Sequence, residues 1–199
     1  MTFREKILAT ANGECSKNGV KLYFGTGKWI EESAGLYCRG FFNPFLPKLA
    51  VATGNKEWEL ILAHELNHLR QWSEKSWAWK NYERSEGISS DVIVHEKKVP
   101  YNKFLQSVWT TLKLEKDCED RTSKMLKSMG YSQRKLGEYI QKANAYVLYY
   151  LEFLKTRNWC ESSNVPFENP KVWKYFPKNF DYDIPKTFNR LEHLYAKNS

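Results

Sequence analysis

The sequence predicts one α+β domain: a small mixed or antiparallel sheet near the N-terminus, packed on a buried helix, and then a mostly helical C-terminal part. Three observations lead there. Short β-prone runs at Val20 to Gly25, Gly35 to Phe42 and Lys48 to Ala52 are separated by Gly, Asn and Pro. The next segment, from about Lys56 to about Glu74, carries Leu60, Ile61, Leu62, Ala63, Leu66 and Leu69 and is apolar on most sides, which suits a helix inside a protein. Apolar residues then recur at helical spacing over roughly 102–128 and 133–155. At 199 residues, with 42% apolar and 27% charged side chains, the chain supports one core and not a second full domain of the usual ~100–200 residues.

Each element has a local reason. Thr2 and Glu5 form a capping box that opens a helix with Phe3, Ile7, Leu8 and Ala11 on its apolar face and Gly13 as its stop. The β-prone runs and the buried-type helix complete a first part, about 1–75. Residues 75–99 hold Trp77, Trp79 and Tyr82, then a polar stretch and a short strand at Val92-Ile93-Val94. The helical part, about 100–155, has a first helix ended by Met129-Gly130. Its second helix presents Leu136, Tyr139, Ile140, Ala143, Tyr146, Val147, Tyr150, Leu151 and Leu154 on one face. Pro166, Pro170, Pro177 and Pro185 make the last stretch, about 156–199, an irregular tail that wraps the body before a short final helix.

Composition narrows the function classes. Lys and Arg number 31 against 23 Asp and Glu, a formal charge of +8, which tilts toward nucleic acid, an anionic membrane surface or an acidic protein. Cys15, Cys38, Cys118 and Cys160 are scattered without a C-x-x-C pair, so neither a disulfide-stapled scaffold nor a thiolate zinc knuckle is expected. After Arg4 and Lys6 the apolar run is too short for a secretory signal. No apolar run approaches the ~18 residues of a membrane span, and the mean hydropathy is −0.66. A cytoplasmic protein is expected.

The chemistry concentrates in ILAHELNHLRQW, where His64, Glu65 and His68 form H-E-x-x-H. Residues four apart lie ~40° apart on a helix, so both imidazoles can reach one metal ion while Glu65 stands beside the place of its water. With four His and 18 Glu in the chain, chance supplies only roughly 0.007 such matches, so the motif is read as a metal site. A catalytic zinc ion takes three protein ligands and keeps one position open. On a helical wheel Val108, Leu112, Cys118, Glu119, Thr122, Leu126 and Met129 fall within ~60° of Glu115, while Lys113, Lys116, Asp117, Asp120, Lys124 and Lys127 fall outside. Glu115 and Glu119 therefore sit on the face that should be buried, where two carboxylates need a cation or hydrogen-bond donors.

H-E-x-x-H followed by a later helix with Glu-x-x-x-Asp/Glu resembles the gluzincin group of zinc metallopeptidases, over residues of about 20–130. The resemblance implies a zincin-like fold, one Zn2+ ion held by His64, His68 and Glu115, and Glu119 supporting a ligand histidine. It also implies Glu65 as general base in peptide-bond hydrolysis, with a protein or peptide as substrate and endopeptidase action. Glu119 stands where the group more often has Asp. Small gluzincin-like proteins of this kind occur in bacteria and phages, and a phage-encoded chain would act in the host cytoplasm. The oxyanion donor is open among His95, Tyr146, Tyr149, Tyr150 and Arg121, while His95 and His193 are rivals to Glu115 as third ligand.

The strand before the motif helix, Lys48 to Ala52, is expected to offer an edge for an extended substrate. A second reading is a basic nucleic-acid-binding protein, resting on the charge and on aromatics interleaved with lysines in KSWAWKNYER and KVWKYFPKNF. A third is a zincin fold whose metal is not catalytic. Oligomeric state is not legible.

Overall fold

The computed structural model describes residues 1–33, 36–85, 88, 98–160 and 165–196, so the strand expected at Val92-Ile93-Val94 lies outside the described residues. The fold is mixed α+β. It divides into two compact units, Met1–Ser76 with Lys124–Tyr131, and Trp77–Ser123 with Ser132–Ser199.

In the first unit, helix α1 (Phe3–Lys17) opens with the capping box: Glu5 N–H donates to Thr2 Oγ1 at 3.2 Å and Thr2 N–H to Glu5 Oε2 at 2.7 Å. The helix does not stop at Gly13. It continues because Cys15 extends the buried i, i+4 row begun by Ile7 and Ala11, and it ends at Asn18. Gly19 follows with φ +65°, a left-handed position that glycine takes without strain, and Val20 N–H closes the turn on Cys15 O at 2.8 Å.

Strands β1 (Lys21–Gly25), β2 (Ile30–Ser33), β3 (Leu36–Cys38), β4 (Gly40–Asn43) and β5 (Lys48–Ala52) follow. β5 pairs in parallel with β1 and antiparallel with β4, giving the order β1-β5-β4. The run from Gly35 to Phe42 is therefore two strands in two sheets, parted at Arg39, with β3 pairing antiparallel to β2. β2 has no sequence-predicted counterpart: Glu31 and Glu32 are poor strand formers, and pairing with β3 supplies what propensity lacks. β5 is not an edge, since both of its sides are taken. β1 and β4 are the outer strands of this sheet. That central place also explains why KLAVA does not alternate, with Leu49 to Ala52 all buried.

Helix α2 (Trp58–Ser73) packs on β4, β5 and α1, burying Leu62, Ala63, Leu66 and Leu69 completely. Gly40 permits that approach. A Cβ there would stand 2.5 Å from Ile61 Cγ2 and 3.2 Å from Glu65 Cγ. Residues 124–131 are tied into the unit by Lys6 Nζ, which donates to Met129 O at 2.9 Å, and by the Phe3 and Tyr131 rings.

The second unit contains α3 (Trp77–Glu83), most of α4 (Tyr101–Ser128), α5 (Gln133–Thr156), a 3-10 turn at Pro166–Glu168, and the short helices α6 (Pro170–Trp173), α7 (Ile184–Leu191) and α8 (His193–Ala196). Its core joins Phe104, Val108 and Leu112 of α4 to Val147, Leu148 and Phe153 of α5, and to Val172, Phe176, Phe188 and Tyr195 of the tail. Two polar side chains of α5 recruit the tail's backbone. Gln141 Nε2 donates to Lys174 O and Phe176 O, and Asn144 Nδ2 to Pro177 O and Asn179 O. Buried carbonyls without such donors would be costly, so the irregular tail is held by α5.

Gly40→Ala is expected to lower unfolding free energy by about 1–3 kcal/mol through overpacking against α2. Urea denaturation checks it, and an unchanged midpoint would show that α2 can shift at little cost.

Candidate metal centre

The motif helix meets its geometric expectation. His64 and His68 stand one turn apart on α2, their Nε2 atoms 3.0 Å from each other and their rings nearly perpendicular at 85°. Two imidazole nitrogens on one tetrahedral zinc ion at ~2.0–2.1 Å are about 3.3 Å apart, so the pair needs only a few tenths of an ångström to fit one. The ring of His68 is oriented from behind: its Nδ1 lies 2.8 Å from Oε1 of the fully buried Gln71. In the tautomer that donates from Nδ1 to this oxygen, the Nε2 lone pair faces His64.

Glu65 is 8% exposed, and its Cγ passes over Gly40. Its carboxylate is felt by Cys38 on β3, whose thiol is pushed up to about 12, first by burial and then by Glu32 and Glu65. All four cysteines are free. Asn67, inside the motif, donates to Ala63 O at 2.8 Å, so its amide serves the helix itself.

In the second unit α4 shows the predicted stripe. Val108, Leu112, Glu115, Cys118, Glu119, Thr122 and Leu126 are buried and Met129 is half-buried, while Lys113, Lys124 and Lys127 are exposed. The two carboxylates, 8% and 6% exposed at Glu115 and Glu119, face phenols of α5. Tyr139 Oη donates a short hydrogen bond to Glu119 Oε2. Burial, then the Glu119 carboxylate, holds Tyr139 well above the usual phenol value. Tyr146 and Tyr150 share a bond at 3.0 Å, and each is pushed well above the ordinary value by burial first and the Glu115 carboxylate second. Their protons stay in place across neutral pH.

The other expected site residues have other surroundings. Tyr149 packs among Trp159, Phe167 and Tyr195, with burial and then Cys160 raising its phenol. Arg121 pairs with Asp117 at 2.8 Å on the half-exposed side of α4. His193 is exposed on α8, and His95 lies outside the described residues.

Among the described residues, His64 and His68 are those of the first unit that could take part in holding a metal ion. Glu115, the expected third ligand, and Cys118 both lie on α4 in the second unit. Pattern reading placed Cys118 on the buried face of α4, and it missed Gln71, Tyr139 and Gly40. Only Gln71 carried a local signal, as a polar residue at i+3 from His68 on a helix that is otherwise buried.

Comparison with protein-family models, curated proteins and solved structures finds no significant match.

Tyr139→Phe removes a donor from a buried carboxylate, with an expected loss of ~1–3 kcal/mol near neutral pH in urea denaturation. The folded-state phenol lies above its ordinary 10.0, so its contribution is full below that pH and fades as pH rises past it. The gap between wild type and variant should therefore narrow in alkali.

Proposed function

We propose that the chain is a zinc-dependent peptidase, with His64 and His68 as two ligands of one ion and Glu65 as the general base. The observation that carries this reading is the approach of the two Nε2 atoms to 3.0 Å, with His68 turned by Gln71 so that its lone pair lies between the rings. Imidazole pairs on one helix face suit zinc among the common divalent ions. The donor set and its spacing fit the group.

When bound, a zinc ion would supply an acidified water and polarise the scissile carbonyl. Glu65 would serve as the general base for that water and return the proton to the departing amine, a role that requires it beside the imidazoles and not bound to the metal. A third ligand is assigned to α4, where Glu115 and Cys118 are one turn apart on the same buried face. Glu115 follows from the family resemblance, and Cys118 is the alternative donor one turn from it. Tyr146 and Tyr150, which keep their protons, serve as the candidate oxyanion donors.

An extended peptide fits the outer strand β4 better than β5. Gly40 of β4 lies against Glu65 Cγ, so a strand added there would carry its carbonyls past the base. The aromatics that suggested nucleic acid are divided: Trp79 and Phe176 are buried, while Trp77 and Tyr175 are exposed beside Lys113 and Lys174.

Purified wild type should contain close to one zinc per chain by atomic emission and hydrolyse a denatured protein substrate. His64→Ala should lose both. Glu65→Gln should keep the metal and lose at least ~100-fold in turnover; full activity in that variant would remove Glu65 as the base. Comparing metal content in Glu115→Gln and Cys118→Ser identifies the third ligand.

A further inference from the structure

The turn between β4 and β5, Pro44-Phe45-Leu46-Pro47, ends in two bare apolar side chains, Phe45 at 92% and Leu46 at 64% exposure. Its backbone is held in place. Asn43 Oδ1 accepts from Phe45 N–H at 2.9 Å and from Leu46 N–H at 3.1 Å. Proline at either end restricts φ, and Pro47 O accepts from Lys21 N–H at 2.8 Å, tying the tip to the start of β1. The fold thus presents two adjacent large hydrophobes to water on a preorganised point.

The surrounding charge has one sign. The chain on either side of the tip and at the start of β1, residues 15–24 and 40–50, contains Lys17, Lys21 and Lys48 and no Asp or Glu. The intervening Glu31 and Glu32 belong to β2, in the separate two-stranded sheet. Lys21 and Lys48 are register partners at the first position of the parallel pair β1 and β5, the end of the sheet from which the tip projects. The Lys48 ammonium lies 4.5 Å from the centre of the Tyr23 ring, which directs it along the sheet face.

We propose that this tip docks the protein on an anionic lipid bilayer. Phe45 and Leu46 enter the boundary between headgroups and acyl chains, and Lys21 and Lys48 meet lipid phosphates. Neither part suffices alone: two side chains bury little area, and a few lysines bind weakly at physiological salt, but together they give reversible surface attachment. Nucleic acid would satisfy the lysines and leave Leu46 in water, because a narrow tip between prolines is no platform for stacked bases. The inference is independent of the metal and of peptidase activity.

The test is sedimentation of the full chain with phosphatidylcholine vesicles, with and without phosphatidylserine. Retention is expected only with phosphatidylserine and should fall as salt rises. F45S/L46S should bind at least ~10-fold more weakly, and Lys21→Gln and Lys48→Gln about fivefold each. A Phe45→Trp chain should be quenched by brominated lipid more than wild type, a readout that stands even if F45S/L46S folds poorly. Absence of retention on phosphatidylserine vesicles, retention undiminished in F45S/L46S when that variant is folded, or no added quenching at Phe45→Trp would overturn the proposal. So would tighter binding to a single-stranded DNA probe that the tip substitution leaves unchanged.

Discussion

A helix buried on most of its sides can carry imidazoles and a carboxylate only where each meets a polar partner, and α2 is built under that constraint. Its apolar residues fill the space against β4, β5 and α1, with Leu62, Leu66 and Leu69 fully enclosed. What remains is a short polar strip. His68 is answered by Gln71, and His64 by His68. Glu65 runs along a sheet position that has no side chain of its own. Gly40 is decisive because a single methyl there would meet Ile61 and press on the stem of Glu65, so the depth of the helix and the place of its carboxylate are set together.

The second unit meets the same constraint by different means. Glu115 and Glu119 lie on the inner face of α4 among phenols of α5, and those phenols hold their protons because burial and the neighbouring carboxylates both oppose ionisation. Buried amides on α5 do for the tail what the sheet ladder does for a strand. Gln141 and Asn144 engage carbonyls over Lys174–Asn179, a stretch that lies between α6 and α7. An aromatic cluster of Tyr149, Trp159, Phe167 and Tyr195 then closes over it.

Charge is segregated rather than spread. The strands of the first unit are nearly free of carboxylates, whereas α4 alternates Lys and Asp along its outer side, as in the Asp117–Arg121 pair. The net charge of +8 is thus carried in part by one sheet and its turns, next to the exposed side chains of Phe45 and Leu46. Among the described residues no helix is long and apolar enough to cross a membrane.

Local pattern determined the elements that depend on neighbours in the chain. The capping box at Thr2, the spans of α2, α4 and α5, the runs that became β1 and β5, the stop at Gly130 and the buried face of α4 all follow from spacing and from turn residues, whose effects extend only a few positions. H-E-x-x-H belongs here too, because an α-helix brings residues four apart onto one face whatever it packs against. Tertiary structure decided what needs a partner distant in sequence. The break at Arg39 and the strand at Ile30–Ser33 exist because β3 pairs with β2, and β5 lost its free edge because β1 and β4 flank it. Gln71 became the support for a histidine only once α2 was enclosed. The physical reason is the same throughout: helical and strand periodicity is written in adjacent residues, whereas the choice of which faces meet is an energy shared between segments that no single stretch of sequence contains.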